Sequence, residues 1–268
     1  AFAEFWTPGE RAARDRVNAF RSQSSDYDEA RNLPSQDGSS RLSAHLHFGE
    51  ISPAYVWNRI VDADGDATVF LKEVAWRDYA QNVIMQFAGY GRQGYRERFE
   101  QLEWRDFRSS VVRDDFDRWT KGQTGYPIVD AGMRQLWKHG WIHNRVRMIC
   151  ASFLIKHLLI DWREGERWYW DCLVDADYGN NSVNWQWIAG TGVDSNMFVR
   201  IMAPLSQSEK FDAAAYIRRW VPELADLNDS VIHDPDAHGA RPAAYPPKII
   251  EHREGRERAL AAYCHAKG

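Results

Sequence analysis

Cysteine is too scarce and too scattered in this chain to carry chemistry. Cys150, Cys172 and Cys264 form no CxxC pair, so neither a disulfide framework nor a cysteine-ligated cluster is indicated, and no metal is expected. Long apolar runs are missing too. The stretch Phe153-Leu-Ile-Lys-His-Leu-Leu-Ile160 is broken by Lys156 and His157, well short of the roughly 18 to 20 residues a membrane span needs. The opening segment, AFAEFWTPGE, lacks the basic-then-apolar pattern of a signal peptide, so a cytoplasmic protein is expected. Excess positive charge is also absent: a net charge of -4 argues against binding nucleic acid through bulk basicity. Any such site must be a local patch.

What the chain has in abundance is tryptophan, 13 in 268 residues, within an otherwise ordinary globular composition of 44% hydrophobic and 27% charged residues. Indoles bury much area and anchor packing, so most belong to the core. Even so, "NSVNWQWIAGTG" (181–192) sets two of them one residue apart among side-chain amides, just before glycines that read as a helix end. That concentration asks for a second reason.

Helical punctuation dominates and no period-two strand pattern or repeat stands out. Pro8 opens a helix running through Arg11 to Phe20, and Ser24, Ser25 and Asp26 end it. Residues 29–40 are rich in turn formers. A helix is expected from the serines at 39–40 through Phe48, closed by Gly49, and another from Ser52-Pro53. Thr68 to Phe87 reads as a long buried helix. Pro127, Gly140 and the run from His143 to Leu159 give a helix pair, Glu164 to Val174 another helix, and 250–266 a last one after a Pro- and charge-rich stretch. The fold class is therefore all-α, a compact helical cluster forming one domain over residues 1–268.

Four segments, "DGSSRLSAHLHFGEISP" (37–53), "FLKEVAWRDY" (70–79), the run from Thr124 to Trp170 and "NNSVNWQWIAGTG" (180–192), together resemble the helical flavin-binding domain of the photolyase and cryptochrome family. The resemblance extends from about Pro8 to Lys267. The N-terminal α/β antenna domain of usual members is not in this chain, so it reads as a fragment or an antenna-free form, and no antenna chromophore is expected in it. FAD is the implied cofactor. The start of Ser39, Ser40, Arg41, Leu42 and Ser43 alone would be an ordinary serine cap. In the family this segment holds the cofactor together with a tyrosine twelve residues upstream, the position of Tyr27. Helix starts suit a pyrophosphate because their free N–H groups and dipole favour anions. Around the flavin ring the resemblance places Arg147 and Asp175 as an ion pair, with Asp177, and Asn181 facing N5.

Further roles come from the same resemblance. Glu73, otherwise a solvated helix glutamate, matches the acid that contacts the lesion carbonyls; Trp76 and Trp187 match the walls that stack on a flipped-out dimer. Asn144 and Met148 match enzymes acting on cyclobutane pyrimidine dimers, whereas those acting on six-four lesions carry histidine chemistry in this neighbourhood. His143 lies out of register with those histidines and is given no acid role. Arg31, Arg145, Arg200 and Gln207 match the lesion-binding face, with damaged DNA as the partner and little base-sequence preference implied. Trp185 and Trp162 match the first two members of an electron-transfer triad, which accounts for the indole-rich stretch. The third departs from the pattern: Ser109 holds its usual place, and Trp104 is the candidate. The reading is light-driven repair of cyclobutane pyrimidine dimers by a monomeric class I type photolyase, an enzyme, in which reduced FAD passes an electron to the dimer and receives it back. The alternative is a cryptochrome-like photoreceptor signalling by flavin photoreduction without repair, and a bland third option is a flavin-binding remnant.

Overall fold

The computed structural model describes residues 2–195 and 200–267, and no strand occurs among them. Fourteen α-helices are described: α1 (Glu10–Arg21), α2 (Tyr27–Ala30), α3 (Ser43–His47), α4 (Pro53–Val61), α5 (Thr68–Gln86), α6 (Ser110–Thr120), α7 (Pro127–His139), α8 (Asn144–Ser152), α9 (Trp162–Cys172), α10 (Tyr178–Ala189), α11 (Pro204–Lys210), α12 (Ala214–Trp220), α13 (Asp229–Ile232) and α14 (His252–Lys267). No described helix is long and apolar enough to cross a membrane.

The helix boundaries follow from local chemistry. Ser52 accepts the N–H of Tyr55 at 3.1 Å ahead of Pro53, which begins α4 where its missing N–H costs nothing. Asp161 and Asp177 cap α9 and α10 in the same way, accepting from Arg163 N at 3.0 Å and Asn180 N at 2.8 Å. Gly140 and Gly190 take left-handed conformations, φ 63° and 81°, that end α7 and α10. After α8 the chain widens into a wholly buried π-helical turn, Phe153–His157, which α14 covers.

Two apolar clusters build the body. The larger gathers Trp119, Val129, Met133, Ile149, Phe153, Tyr169, Trp185 and Ile217 from α6 through α12. The smaller joins α1, α4 and α5 through Val17, Phe20, Val56, Ile60, Phe70 and Val74. Helix α10 packs on both α5 and α9, so the segment holding Trp185 lies between the two clusters. Asp130, fully buried, accepts Thr124 N at 2.7 Å, Thr124 Oγ1 at 2.6 Å, Gly125 N at 3.0 Å and the Tyr245 hydroxyl at 2.5 Å. The "TGYP" stretch is thereby a structural clamp in front of α7.

The expected helix from the serines to Phe48 needs correction. Residues 39–42 are not helical, Arg41 adopts a left-handed conformation (φ 51°), and α3 starts at Ser43 with only five residues. The serines therefore do not cap it: Leu42 holds the N-cap position and makes no side-chain cap bond. The helix expected at Glu164 to Val174 begins two residues earlier, at Trp162, because Asp161 supplies the cap.

Candidate functional site

A cavity of about 390 Å3 opens between α8, α11 and the segment around Trp187. Five of the residues anticipated at the lesion face line it: Arg145, Met148, Trp187, Arg200 and Gln207. Sequence reading missed four more that line it, Asn32, Met202, Lys210 and Phe211. Asn144 begins α8 beside this cavity and is exposed.

Glu73 and Trp76 stand one turn apart on α5, as their spacing requires, and Trp76 is 52% exposed. The Glu73 carboxylate pairs with the guanidinium of Arg31, which also lies over the Tyr27 ring at 5.3 Å. Tyr27 packs edge-on against Phe20 and Phe70, and burial pushes its hydroxyl up to about 12, so it stays protonated. Burial lowers Arg145, and the nearby cations Arg31 and Arg200 lower it further while Glu73 opposes them. Those four side chains therefore share one electrostatic neighbourhood. His143 is buried and held down to about 4, first by burial and then by Arg145 and Arg31, so it is a neutral imidazole at neutral pH.

On the far side of α8, Arg147 pairs with the buried Asp175 at 3.2 Å, and its backbone carbonyl accepts the Tyr169 hydroxyl at 3.3 Å. Asn181 donates its Nδ2 to the Glu166 carbonyl at 3.0 Å, while the neighbouring Ser182 hydroxyl donates to the Glu166 carboxylate at 2.6 Å. This fixes the Asn181 amide, leaving Oδ1 as the end available to a donor. Asp177 is turned elsewhere: besides capping α10, it accepts Gln81 Nε2 at 2.8 Å and Arg77 at 3.3 Å from α5. Ser39 and Ser40 line a second hollow of about 440 Å3 with Arg16 and His45. Arg41 pairs with Asp37 at 2.8 Å and lies over Trp141 at 5.4 Å. Leu42 is buried, and Ser43 starts α3.

Several buried polar atoms here have no partner within the protein: Arg41 Nε, Arg145 Nε, Arg147 Nε and His143 Nδ1. Buried donors left unmet are costly, so such a set points to groups supplied from outside the chain. The two on Arg41 and Arg147 fit an acceptor-rich ligand such as a flavin dinucleotide.

The indoles near Trp185 fall into two sets. Trp185, 3% exposed, packs on α9 where Gly165 leaves room, one turn from the buried Trp162. Trp104 sits in the loop before α6, half-buried between the main core and the small cluster under α14. A second file of rings leaves Trp185 in another direction. Tyr169 lies 4.9 Å from it, Trp119 stacks on Tyr169 at 6.0 Å, Phe116 follows at 5.7 Å and Trp168 at 6.5 Å. Trp137, 68% exposed, ends the file, stacked on Trp168 at 5.9 Å. No spacing in the sequence announces this file, because its members come from four helices.

The pattern described as the FAD binding domain of DNA photolyase matches residues 70–265. The chain belongs to the DNA photolyase family. A deoxyribodipyrimidine photo-lyase of Agrobacterium fabrum is 47% identical over 99% of this chain and 58% of its own length. A bacterial class III photolyase from Agrobacterium tumefaciens superposes with a TM-score of 0.92 at 46% identity, covering 99% of this chain and 57% of that one. A cryptochrome from Synechocystis superposes with a TM-score of 0.86 at 31% identity, covering 96% and 56%. The chain thus spans a little over half the length of these photolyase-family relatives, and its helical fold is theirs.

Proposed function

We propose that this domain repairs cyclobutane pyrimidine dimers in DNA under light, with FAD as its bound chromophore. The convergence of Arg145, Met148, Trp187, Arg200 and Gln207 on one cavity, with the Glu73–Arg31 pair beside them, is the observation that carries this reading. Such a cavity offers what a flipped lesion needs: an indole to stack on, amides for its polar edge and cations for the flanking phosphates, with the Glu73 carboxylate nearby.

Reduced FAD, when bound, supplies the electron that light makes available to the dimer. Tyr27, Ser39, Ser40, Arg41, Leu42 and Ser43 would hold it together with Arg147, Asp175, Asp177 and Asn181, of which Asp177 acts by fixing α10 to α5. Asp175 offsets the charge of Arg147 in a site where an unpaired cation would be costly to bury. Asn181, its amide fixed by Glu166, presents Oδ1 as an acceptor. Glu73 and Asn144 contact the carbonyl edge of the lesion, Met148 fills the space beneath it, and Trp76 and Trp187 flank it. Trp185 and the indoles behind it, Trp162 and Trp104, serve as a route for oxidising charge to leave the buried centre. In this reading the protein acts as a cytoplasmic monomer and uses no metal.

The cryptochrome likeness supports a second reading, a photoreceptor that shares the flavin site and does no repair. An illuminated assay separates them. Purified, reduced protein should restore an oligonucleotide carrying one thymine dimer while leaving six-four and undamaged controls unchanged; no turnover of the dimer would favour the photoreceptor reading.

A further inference from the structure

Arg145 reaches the wall of the lesion cavity from α8 with no carboxylate to meet it among the described residues. Its guanidinium donates instead to the neutral side-chain oxygen of Asn32 and lies over the ring of Phe211, 4.6 Å from the centroid. On the same ring, Lys210 places its ammonium 5.3 Å from the centroid. Phe211 is thus one ring approached by two cations. Its chain neighbour Asp212 has a left-handed backbone (φ 48°), and the Asp212 carbonyl accepts the Ser35 hydroxyl at 2.6 Å. That bond ties the segment carrying Phe211 to the loop carrying Asn32.

Among the described residues Arg145 is one of few half-buried arginines with no carboxylate in contact, Arg258 being another. Arg145 is half-buried, and Arg31 and Arg200 both add like charge to it, yet the one nearby carboxylate, Glu73, is engaged by Arg31. Elsewhere in the chain, half-buried arginines such as Arg134, Arg105 and Arg163 each have a carboxylate partner. An ion pair would fix Arg145 as well, but it would also cancel the charge a phosphate needs. A quadrupolar ring and an amide oxygen hold the guanidinium in place and leave its full charge facing the cavity.

We infer that Phe211, with Asn32, is a positioning residue for DNA binding: it pre-sets Arg145 and Lys210, without neutralising them, to receive the phosphodiesters beside the flipped dimer. The inference rests on the functional reading above and adds to it what sets the phosphate grip. Phe211 does not touch the reacting bonds.

The test compares Phe211→Leu, which keeps an apolar side chain and removes the π face, with Phe211→Tyr, which retains it. Each protein is loaded with FAD and its affinity for a dimer-containing duplex is measured in the dark across a salt series. Phe211→Leu should bind about three- to tenfold more weakly, the range expected for a partly desolvated cation–π contact. Its plot of log affinity against log salt should flatten by roughly one phosphate contact. Flavin content and melting temperature should stay at the wild-type level, which separates lost positioning from lost folding. Phe211→Tyr should restore both affinity and slope, and Asn32→Ala should shift both in the direction of Phe211→Leu. Equal affinity and slope in wild type and Phe211→Leu overturn the assignment while leaving the functional reading intact. A wild type that does not prefer the dimer duplex over an undamaged one removes both.

Discussion

The six-membered ring of Trp185 lies where a side chain on Gly165 would have to go: a Cβ at that glycine would fall 2.2 Å from Trp185 Cη2 and 2.5 Å from Leu154 Cδ2. Helices α9 and α10 therefore approach as closely as they do because residue 165 carries no side chain, and this close approach seats the innermost indole beside the turn that holds Trp162. Gly165→Ala should destabilise the fold by about 1–3 kcal/mol, the usual cost of overpacking a filled core. The same change should slow photoreduction of oxidised FAD, because Trp185 must move. Thermal unfolding and steady illumination test both; a variant unaltered in each would show that the helices can part freely.

Trp185→Phe should stop photoreduction of the oxidised cofactor and spare dimer repair by chemically prereduced protein. The two sets of rings behind Trp185 can then be told apart. The first stop on the second file is Tyr169, a fully buried phenol whose proton is held by burial and by its bond to the Arg147 carbonyl. A tyrosine that cannot shed its proton is a poor station for oxidising charge, so Trp162→Phe should slow photoreduction far more than Trp119→Phe. The reverse order, seen by transient absorption, would assign the main exit to Trp119, Trp168 and Trp137.

Glu73→Ala should keep flavin and fold while lowering dimer repair roughly tenfold or more, the scale of losing one hydrogen bond to a charged group. The substitution also frees Arg31 from its carboxylate, so dark affinity for DNA should hold or rise. Repair at the wild-type rate would remove Glu73 from the mechanism.

Acid should weaken the fold through buried histidines. His143 is lowered to about 4 and His157 to about 3, in both cases chiefly by burial. The unfolded chain, with ordinary imidazoles, binds protons that the folded chain refuses between about 6.5 and 4. Stability is thus fully present above that window and falls as pH drops through it. Each residue costs about 2 kcal/mol by pH 5 on this arithmetic. Denaturant midpoints should fall from pH 7 to pH 5, and His143→Gln should flatten the fall; a flat wild-type profile would mean these imidazoles are reachable by water.

Much of the helical plan was legible because its punctuation is local. Pro127 and Gly140 bracket α7 and Ser52 and Pro53 start α4, each a choice made within a few residues, while α5 forms as expected but buries only Phe70, Val74, Ala80 and Val83 instead of being buried along its length. The serines before Arg41 failed as a helix start: Arg41 turns left-handed, pairs locally with Asp37 and lies over the ring of Trp141, a contact a hundred residues away that the local sequence does not show. Sequence reading named five of the nine residues that line the cavity through family resemblance, yet among those it missed are Asn32 and Phe211. They flank Arg145 from segments far apart in the chain, and neither residue type signals a site alone. The file through Tyr169 and Trp119 escaped for the same reason.

A structure of the protein with FAD and a duplex carrying one thymine dimer tests the central claim most directly. The dimer should be found swung out of the helix into the cavity lined by Trp187 and Met148, with Glu73 at its carbonyl edge and Arg145 on an adjacent phosphate. A dimer still stacked in the duplex, or a flavin bound away from Arg147 and Asn181, would contradict it.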